Sequence, residues 1–307
     1  MFHFIINPTA KSNLGVAIWN TIEEYLESID FKYEKHFTHQ KGDATSLAKE
    51  LSGDTDEPKT IVVLGGDGTL GEVVNGLSNF QNITLSYIPI GSGNDFARGM
   101  GILADYLDRL KYIISTDKYQ YIDYATIHIG SESRRFIVSS GIGFDASVCH
   151  KVNTSKVKKF FNKLHMSNFS YTFIALMQLF RIPYMNVHIK TDEGKVYNFK
   201  KLLLFSIHVQ RFEGGGYMFC PMANPGDGYL DICIANKVSK LRALTIIPGI
   251  KFGKHVNKKG IHFLKGKEFQ VKLDTSCFAH ADGEADFDTT KHKVITYKIA
   301  DEQIRFI

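Results

Sequence analysis

Short apolar runs alternate with amphipathic stretches along the first third of the chain. Phe2 to Ile6 reads as a buried strand, Val16 to Ser28 as a helix and Tyr33 to Phe37 as a second strand. A helix near Ala44 to Leu51 leads through the polar Ser52 to Lys59 linker into Thr60-Ile61-Val62-Val63-Leu64, an unbroken apolar run of the kind that is covered on both faces of a sheet. A helix at about Leu70 to Leu77, a strand from Ile83 to Ile90 and a helix from Ile102 to Ser115 follow. This βαβ rhythm predicts an α/β N-terminal domain with an open parallel sheet and right-handed crossovers, ending near residue 120.

From Tyr121 onward the rhythm changes. Strands at Ala125 to Ile129, Phe136 to Ser140, Asn186 to Lys190 and Leu202 to Val209 are separated by turn-rich pieces, which predicts a mostly antiparallel, β-rich second domain over 121–307. Inside it, Thr154 to His165 and Phe169 to Phe180 read as helices, with Ser155 as a cap. The last strand, Gln303 to Ile307, fits either domain.

Composition narrows the class without choosing a function. With 44% apolar and 22% charged residues in 307, the chain has the balance of a soluble globular protein with two ordinary cores. Its most apolar stretch, Tyr171 to Phe180, is about half of the roughly 20 residues that cross hydrocarbon. The opening Met-Phe-His-Phe-Ile-Ile-Asn-Pro lacks a basic leader and a small-residue cleavage site, so a cytoplasmic protein is expected. Cys149, Cys220, Cys233 and Cys277 form no C-x-x-C pair and are expected as buried thiols. No H-E-x-x-H is present, and His36 and His39 lack acidic neighbours at ligand spacing, so histidine-held metal is not expected. A net charge of +5 is modest, and the placement of the lysines matters more than their number.

Candidate chemistry begins at Leu64-Gly65-Gly66-Asp67-Gly68-Thr69-Leu70, a glycine-rich turn between a strand and a helix. Missing side chains let backbone N–H groups approach an anion, and the positive end of the helix favours negative charge there. A ligand-free tight turn has the same glycine content. Gly66 to Gly71 also fits the dinucleotide pattern G-x-G-x-x-G. Charge argues against that reading, because an aspartate about 4 Å from a pyrophosphate is repelled by roughly 4 kcal/mol at an effective dielectric of about 20. A bridging cation reverses the sign. The dinucleotide pattern also wants an acid about 20 positions on, where this chain has Gly91-Ser92. Asp67 therefore points to a nucleotide carried with magnesium.

A second turn of this kind, Gly91-Ser92-Gly93-Asn94-Asp95-Phe96-Ala97-Arg98, follows the strand ending at Ile90. Parallel strands place their carboxyl ends on one edge, so Asp95 is expected beside Asp67. The loop Asn7 to Ser12 ends on the same edge and offers N–H donors and a lysine.

These motifs, with Asn7-Pro8-Thr9-Ala10, Asp227-Gly228-Tyr229-Leu230-Asp231 and Asp282-Gly283-Glu284, resemble the set found in the diacylglycerol kinase catalytic-domain family, in its soluble bacterial branch, over essentially the whole chain. NAD kinases and phosphofructokinases share the glycine-aspartate turn, which alone would not choose among them. The resemblance implies an ATP- and Mg2+-dependent kinase that phosphorylates the hydroxyl of diacylglycerol or a related lipid. It implies ATP contacts at Asn7, Pro8, Thr9, Ala10, Lys11, Thr38, Gly66, Asp67, Gly68, Thr69, Leu70, Gly71, Glu72 and Ser92. It implies Glu284 as general base, with Asp67 and Asp95 as its partners around magnesium. A structural magnesium site is implied at the Asp227 carboxylate and the Asn224 and Tyr229 carbonyls, with Asp123 reaching the ion through water. Lys11 stands where the family usually has glycine and Gly71 where asparagine is usual, which bears on the opening loop and on the capping of the following helix. Two alternatives remain from the residues: a kinase of a soluble acceptor such as NAD, and a nucleotide-binding module without catalysis.

A lipid substrate raises the matter of a surface. Lys156 to Leu164 places Val157, Phe160, Phe161 and Leu164 at i, i+3, i+4 and i+7 among lysines, a pattern that fits either core packing or contact with an anionic membrane. Lys251, Lys254, Lys258, Lys259, Lys265 and Lys267 form a second basic stretch. Neither lies beside a nucleic-acid-reading motif, so no nucleic-acid partner is expected. The expectation is a cytoplasmic protein, peripheral on the inner membrane face, with a homodimer left open.

Overall fold

The computed structural model describes residues 1–53, 57–102, 105–154 and 167–307. Two sheets organise them. The first has six strands in the order β2-β1-β3-β4-β17-β5. β1 (Phe2–Ile6), β2 (Tyr33–Phe37), β3 (Lys59–Gly65), β4 (Ile83–Pro89) and β17 (Ile304–Phe306) run parallel, and β5 (Gln120–Ile122) pairs antiparallel with β17. The helices α1 (Ala10–Asn13), α2 (Gly15–Ser28), α3 (Asp43–Leu51), α4 (Asp67–Gly76), α5 (Asp95–Met100) and α6 (Tyr106–Ser115) connect them.

Side-chain alternation explains why the strands read as unbroken apolar runs. Ile5, Ile61, Val63 and Leu85 pack with Ala44, Ala48, Leu70 and Val73 of α3 and α4. Phe4, Ile6, Val62 and Leu64 pack with Ile18, Trp19 and Ile22 of α2 and Leu110 of α6. Both faces are covered, and each fully buried aliphatic side chain contributes about 1.5–3 kcal/mol.

The second sheet has eleven strands, all paired antiparallel, and forms a β-sandwich domain. They are β6 (Ala125–Ile129), β7 (Glu132–Phe136), β8 (Ser139–Gly143), β9 (Met185–Thr191), β10 (Val196–His208), β11 (Leu230–Asn236), β12 (Ile261–Gly266), β13 (Glu268–Leu273), β14 (Phe278–Ala281), β15 (Glu284–Asp288) and β16 (Val294–Ile299). β10 pairs with β9 along its first half and with β8 along its second. A register break between Phe199 and Leu202, where Lys201 has φ +56°, lets it change partners. Phe136, Phe205, Phe269 and Tyr297 fill the core that results. α7 (Phe144–Thr154), α8 (Ser167–Arg181) and α9 (Lys240–Ile250) complete the elements. Among the described residues no helix is long and apolar enough to cross a membrane.

Two expectations are corrected, and the open placement of the last strand is settled. The helix expected from Ile102 to Ser115 is α6 alone. Gly101, at φ +65°, ends α5, and the Asp105 carboxylate caps α6 by accepting from Leu107 N (2.9 Å) and Asp108 N (3.0 Å). The strand expected from Phe136 to Ser140 is two strands, because Ile137 N and Val138 N donate to the Asp282 carboxylate and leave the ladder. The last strand joins the first sheet between β4 and β5. The helix expected from Thr154 to His165 lies outside the described residues apart from Thr154.

Candidate active site

β1, β3 and β4 end on one edge, and their turns meet there. The two glycine turns touch backbone to backbone: a Cβ on Gly91 would lie 2.6 Å from the Gly66 Cα. No L side chain fits that approach, so glycine serves packing here as well as anion access. Asn7 ties the first loop to the second. Its Nδ2 donates to Thr69 Oγ1 (2.9 Å), and its Oδ1 accepts from Thr9 N (3.1 Å) and Thr9 Oγ1 (2.9 Å).

Asp67 opens α4 and also caps α5. Its Oδ2 accepts from Asp95 N (2.8 Å) and its Oδ1 from Phe96 N (3.3 Å). Asp95 in turn accepts from Gly215 N (2.8 Å) and Gly216 N (2.7 Å), which belong to the β-rich domain. Gly214, Gly215 and Gly216 all have positive φ (66°, 82° and 100°), a turn closed by paired backbone bonds between Glu213 and Tyr217. Arg98 Nε lies 3.9 Å from Asp95. Burial, and then the charge of Asp95, push the Asp67 carboxyl up to about 7. Burial also raises Asp95, with the Gly215 and Gly216 N–H bonds acting against it. Two adjacent buried carboxylates call for a cation. The pair therefore fits the magnesium that accompanies a triphosphate.

Glu284 arrives from the other domain. The β14–β15 turn holds Asp282 at φ +48° and Gly283 at φ +79°. Asp282 accepts from Ile137 N, Val138 N and Ser139 N (2.9, 2.9 and 3.1 Å), and its Oδ2 faces α4, 3.4 Å from where a Cβ on Gly71 would lie. Glu284 Oε2 bonds Lys41 Nζ at 2.6 Å. Gly42, beside Lys41, donates its N–H to Glu72 Oε2 (3.1 Å). Glu284 thus follows a turn whose Asp282 packs against α4, and its carboxylate meets an ammonium from the loop that is bonded to Glu72 of the same helix.

Behind the turn lies a buried ion cluster. His280 Nδ1 accepts from Gly283 N (3.2 Å), and Nε2 lies 2.9 Å from Asp145 Oδ2 and 3.4 Å from Glu213 Oε1. Ser206 and His208 reach the other Glu213 oxygen at 2.8 and 3.4 Å. Burial alone would lower the His280 imidazole, but the charge and hydrogen bond of Asp145 push it up to about 9. Burial and the same aspartate push Glu213 up to about 8. Through Glu213 and Gly283, one cluster touches both the turn that holds Asp95 and the turn that carries Glu284.

The remaining expected nucleotide contacts are placed unevenly. Gly68 has open space around its Cα, and Ser92, Thr9 and Lys11 are exposed. Pro8 and Ala10 are half-buried in the same loop. The Leu70 side chain is in the core, and Thr38 turns its hydroxyl to Ile6 O (3.4 Å). Lys11 adopts φ +51°, the left-handed conformation that suits the glycine it replaces. Gly71 lies inside α4, whose N-cap is Gly66, so the expected effect on capping is corrected. Sequence reasoning quoted Asp282 in its motif with Glu284 without giving it a role, and it missed Lys41, His280 and the Gly214–Gly216 turn. Of those three, only the glycine run was a visible signal.

Residues 1–127 match the diacylglycerol kinase catalytic domain, and residues 137–296 match the YegS C-terminal NAD kinase beta sandwich-like domain. The chain is 31% identical over 292 residues to the "Putative lipid kinase YtlR" of Bacillus subtilis (strain 168), covering 92% of each. The chain belongs to the diacylglycerol kinase catalytic-domain family. A second relative in that family, a diacylglycerol kinase of Bacillus subtilis (strain 168), is 27% identical over 281 residues, covering 91% of this chain and 88% of the other. The fold is also that of the "putative diacylglycerol kinase" solved from Bacillus anthracis str. Sterne, with a TM-score of 0.77 and 24% identity over 100% of this chain and 96% of the other.

In this member of the diacylglycerol kinase family, the implied structural metal residues gather at the start of β11. Asp123 accepts from Gly228 N (2.8 Å) and Gln303 Nε2 (2.8 Å), and Asp227 Oδ1 accepts from Tyr229 N (3.1 Å). Asn224 holds the same turn through its Oδ1 to Gly226 N (3.3 Å). Lys265 Nζ lies 2.6 Å from Asp227 and 3.8 Å from Asp231, whose buried Oδ2 has no hydrogen-bond partner. Burial raises both Asp123 and Asp231, and the charge of Asp227 adds to each. Three crowded carboxylates with an orphaned oxygen are a donor set for a hard cation, so the residues fit magnesium.

Elsewhere, the reading of His36 is corrected. Glu34, two positions before His36 on the same face of β2, puts its Oε2 3.9 Å from His36 Nε2, and strand pairing brings His3 Nδ1 to 3.2 Å from the same oxygen. Cys220 and Cys233 are buried, whereas Cys149 and Cys277 are only half-buried.

Proposed function

We propose that the chain is an ATP- and magnesium-dependent kinase that phosphorylates the hydroxyl of diacylglycerol or a related lipid. One observation supports the reading: Asp67 and Asp95 adjoin, Asp95 accepts from Gly215 N and Gly216 N of the β-rich domain, and Asp282, two residues before Glu284, faces α4. ATP would lie along the Asn7 loop and the two glycine turns, with its phosphates at the first N–H groups of α4. Magnesium, held by Asp67 and Asp95, would cancel phosphate charge. Glu284 would take the proton of the lipid hydroxyl as its oxygen bonds the terminal phosphorus, while the bridging oxygen leaves with ADP. The hydroxyl is a weak acid, so the proton moves only as the new bond forms. Lys41 would hold Glu284 until the acceptor arrives. The reaction would take place at the cytoplasmic surface of a membrane, where such lipids reside.

The test is transfer of labelled phosphate from ATP to dispersed diacylglycerol, with NAD offered in parallel. Label in lipid and not in NAD supports the reading. Label in NAD alone, or ATP binding with no transfer, would replace it by one of the two alternatives.

A further inference from the structure

A helix on a protein surface normally turns charge toward water. α9 does not. Ala243, Ile246 and Ile250 are buried on the layer formed with Leu203, Cys220 and Cys233. On the opposite face Leu241, Thr245, Pro248 and Phe252 follow at i, i+4, i+7 and i+11, all exposed. Leu241 is 71% and Phe252 67% exposed, the largest values among the big apolar side chains described. At one end Lys240 Nζ donates to Phe180 O (2.7 Å) and Ile182 O (2.8 Å), tying the start of α9 to the end of α8, where Phe180 is exposed. At the other end Gly253 packs on Met218 and Pro221, next to the exposed Met222. The apolar strip therefore extends beyond the helix at both ends.

Charge along the segment that carries the strip has one sign. From Lys237 to Lys259 it holds seven Lys and Arg residues and no Asp or Glu. Lys251, Lys254, Lys258 and Lys259 are exposed, and the Lys254 ammonium lies 5.9 Å from the centre of the Phe252 ring. A second copy of the chain is a poor occupant, because a two-fold contact would set these cations against themselves. A surface that is apolar below and negative above satisfies both features.

We propose that the outer face of α9 is a membrane-docking surface for an anionic bilayer. Leu241, Pro248 and Phe252 enter the boundary between headgroups and acyl chains, and the lysines after α9 meet lipid phosphates. The proposal rests on the lipid-kinase reading for its purpose. Met218 N donates to Ile250 O (3.1 Å), so the end of α9 is tied to the segment that follows the Glu213–Tyr217 turn on Asp95. Docking there presents a membrane-embedded hydroxyl to the wall of the cleft.

The experiment is sedimentation of the full chain with vesicles of mixed phosphatidylglycerol and phosphatidylcholine, and with vesicles of phosphatidylcholine alone. Leu241→Glu/Phe252→Glu and Lys251→Gln/Lys254→Gln/Lys258→Gln/Lys259→Gln are compared with the parent, with melting temperature and oligomeric state measured on each. The parent binds the mixed vesicles, and each variant binds them roughly tenfold or more weakly at unchanged melting temperature. Turnover of vesicle-borne diacylglycerol falls in step, and turnover of detergent-dispersed diacylglycerol does not. Unchanged vesicle binding in both variants overturns the proposal. So does a parent that ignores vesicles, or one that forms a dimer dissociated by the Leu241/Phe252 change. Vesicle binding with this residue dependence but no lipid phosphorylation leaves the docking surface standing and removes the kinase reading.

Discussion

Glu284 is held by an ammonium 2.6 Å away, and that contact defines what its replacement should do. Glu284→Gln keeps the shape and removes the carboxylate proposed as the base. Turnover with diacylglycerol should fall by about 10²–10⁴-fold while ATP affinity, measured by calorimetry, stays within about threefold. Full activity in that variant would remove Glu284 from the chemistry. The buried cluster behind it makes a separate prediction. His280 and Glu213 bind protons more tightly folded than unfolded, since their ordinary values are 6.5 and 4.5 and the fold raises them to about 9 and about 8. Their contribution to stability is complete below those ordinary values and is lost as pH rises through about 8 to 9. Melting temperature should therefore decline between about pH 7 and pH 9, and His280→Gln should flatten the decline. A variant with the same slope as the parent would contradict this assignment.

At the scale of elements, the strand-turn-helix units around Asp67 and Asp95 were legible because period-two burial and glycine turns are local signals. That Asp95 would lie beside Asp67 was legible too, since parallel strands end on one edge, and Asp95 N does donate to Asp67 Oδ2. How closely the turns approach was not: a Cβ on Gly91 would meet the Gly66 Cα at 2.6 Å. Gly91→Ala should cost about 1–3 kcal/mol in urea unfolding and weaken ATP binding, because both turns must shift. The opposite sign is expected at Lys11, where φ is +51°. Lys11→Gly should stabilise by about 0.5–1 kcal/mol in the same assay, unless the lysine binds phosphate when ATP is present. The two strands at Glu132–Phe136 and Ser139–Gly143 merged in the sequence for a related reason. The Asp282 carboxylate that separates them is more than a hundred positions away.

The whole molecule places its site where neither domain is complete. The Asp95 carboxylate of the first domain is held by Gly215 N and Gly216 N of the second, and Asp282 of the second packs against Gly71 of α4. The five motifs pointed to such a joint, but Lys41 and His280 became visible only once the chain was folded. The carboxylates at Asp123, Asp227 and Asp231 make their own prediction at this scale. Magnesium should raise the melting temperature of the apo chain by roughly RT ln(1 + [Mg]/Kd), and Asp227→Asn should abolish the part that persists without nucleotide. The central claim is that three acids from distant segments direct a phosphoryl group onto a lipid hydroxyl. The most direct measurement is mass spectrometry of lipids after incubation with ATP and magnesium, using the parent and Asp67→Asn. The account predicts diacylglycerol, or a close relative, heavier by one phosphate with the parent and unchanged with the variant. ADP released with every lipid mass unchanged would contradict it.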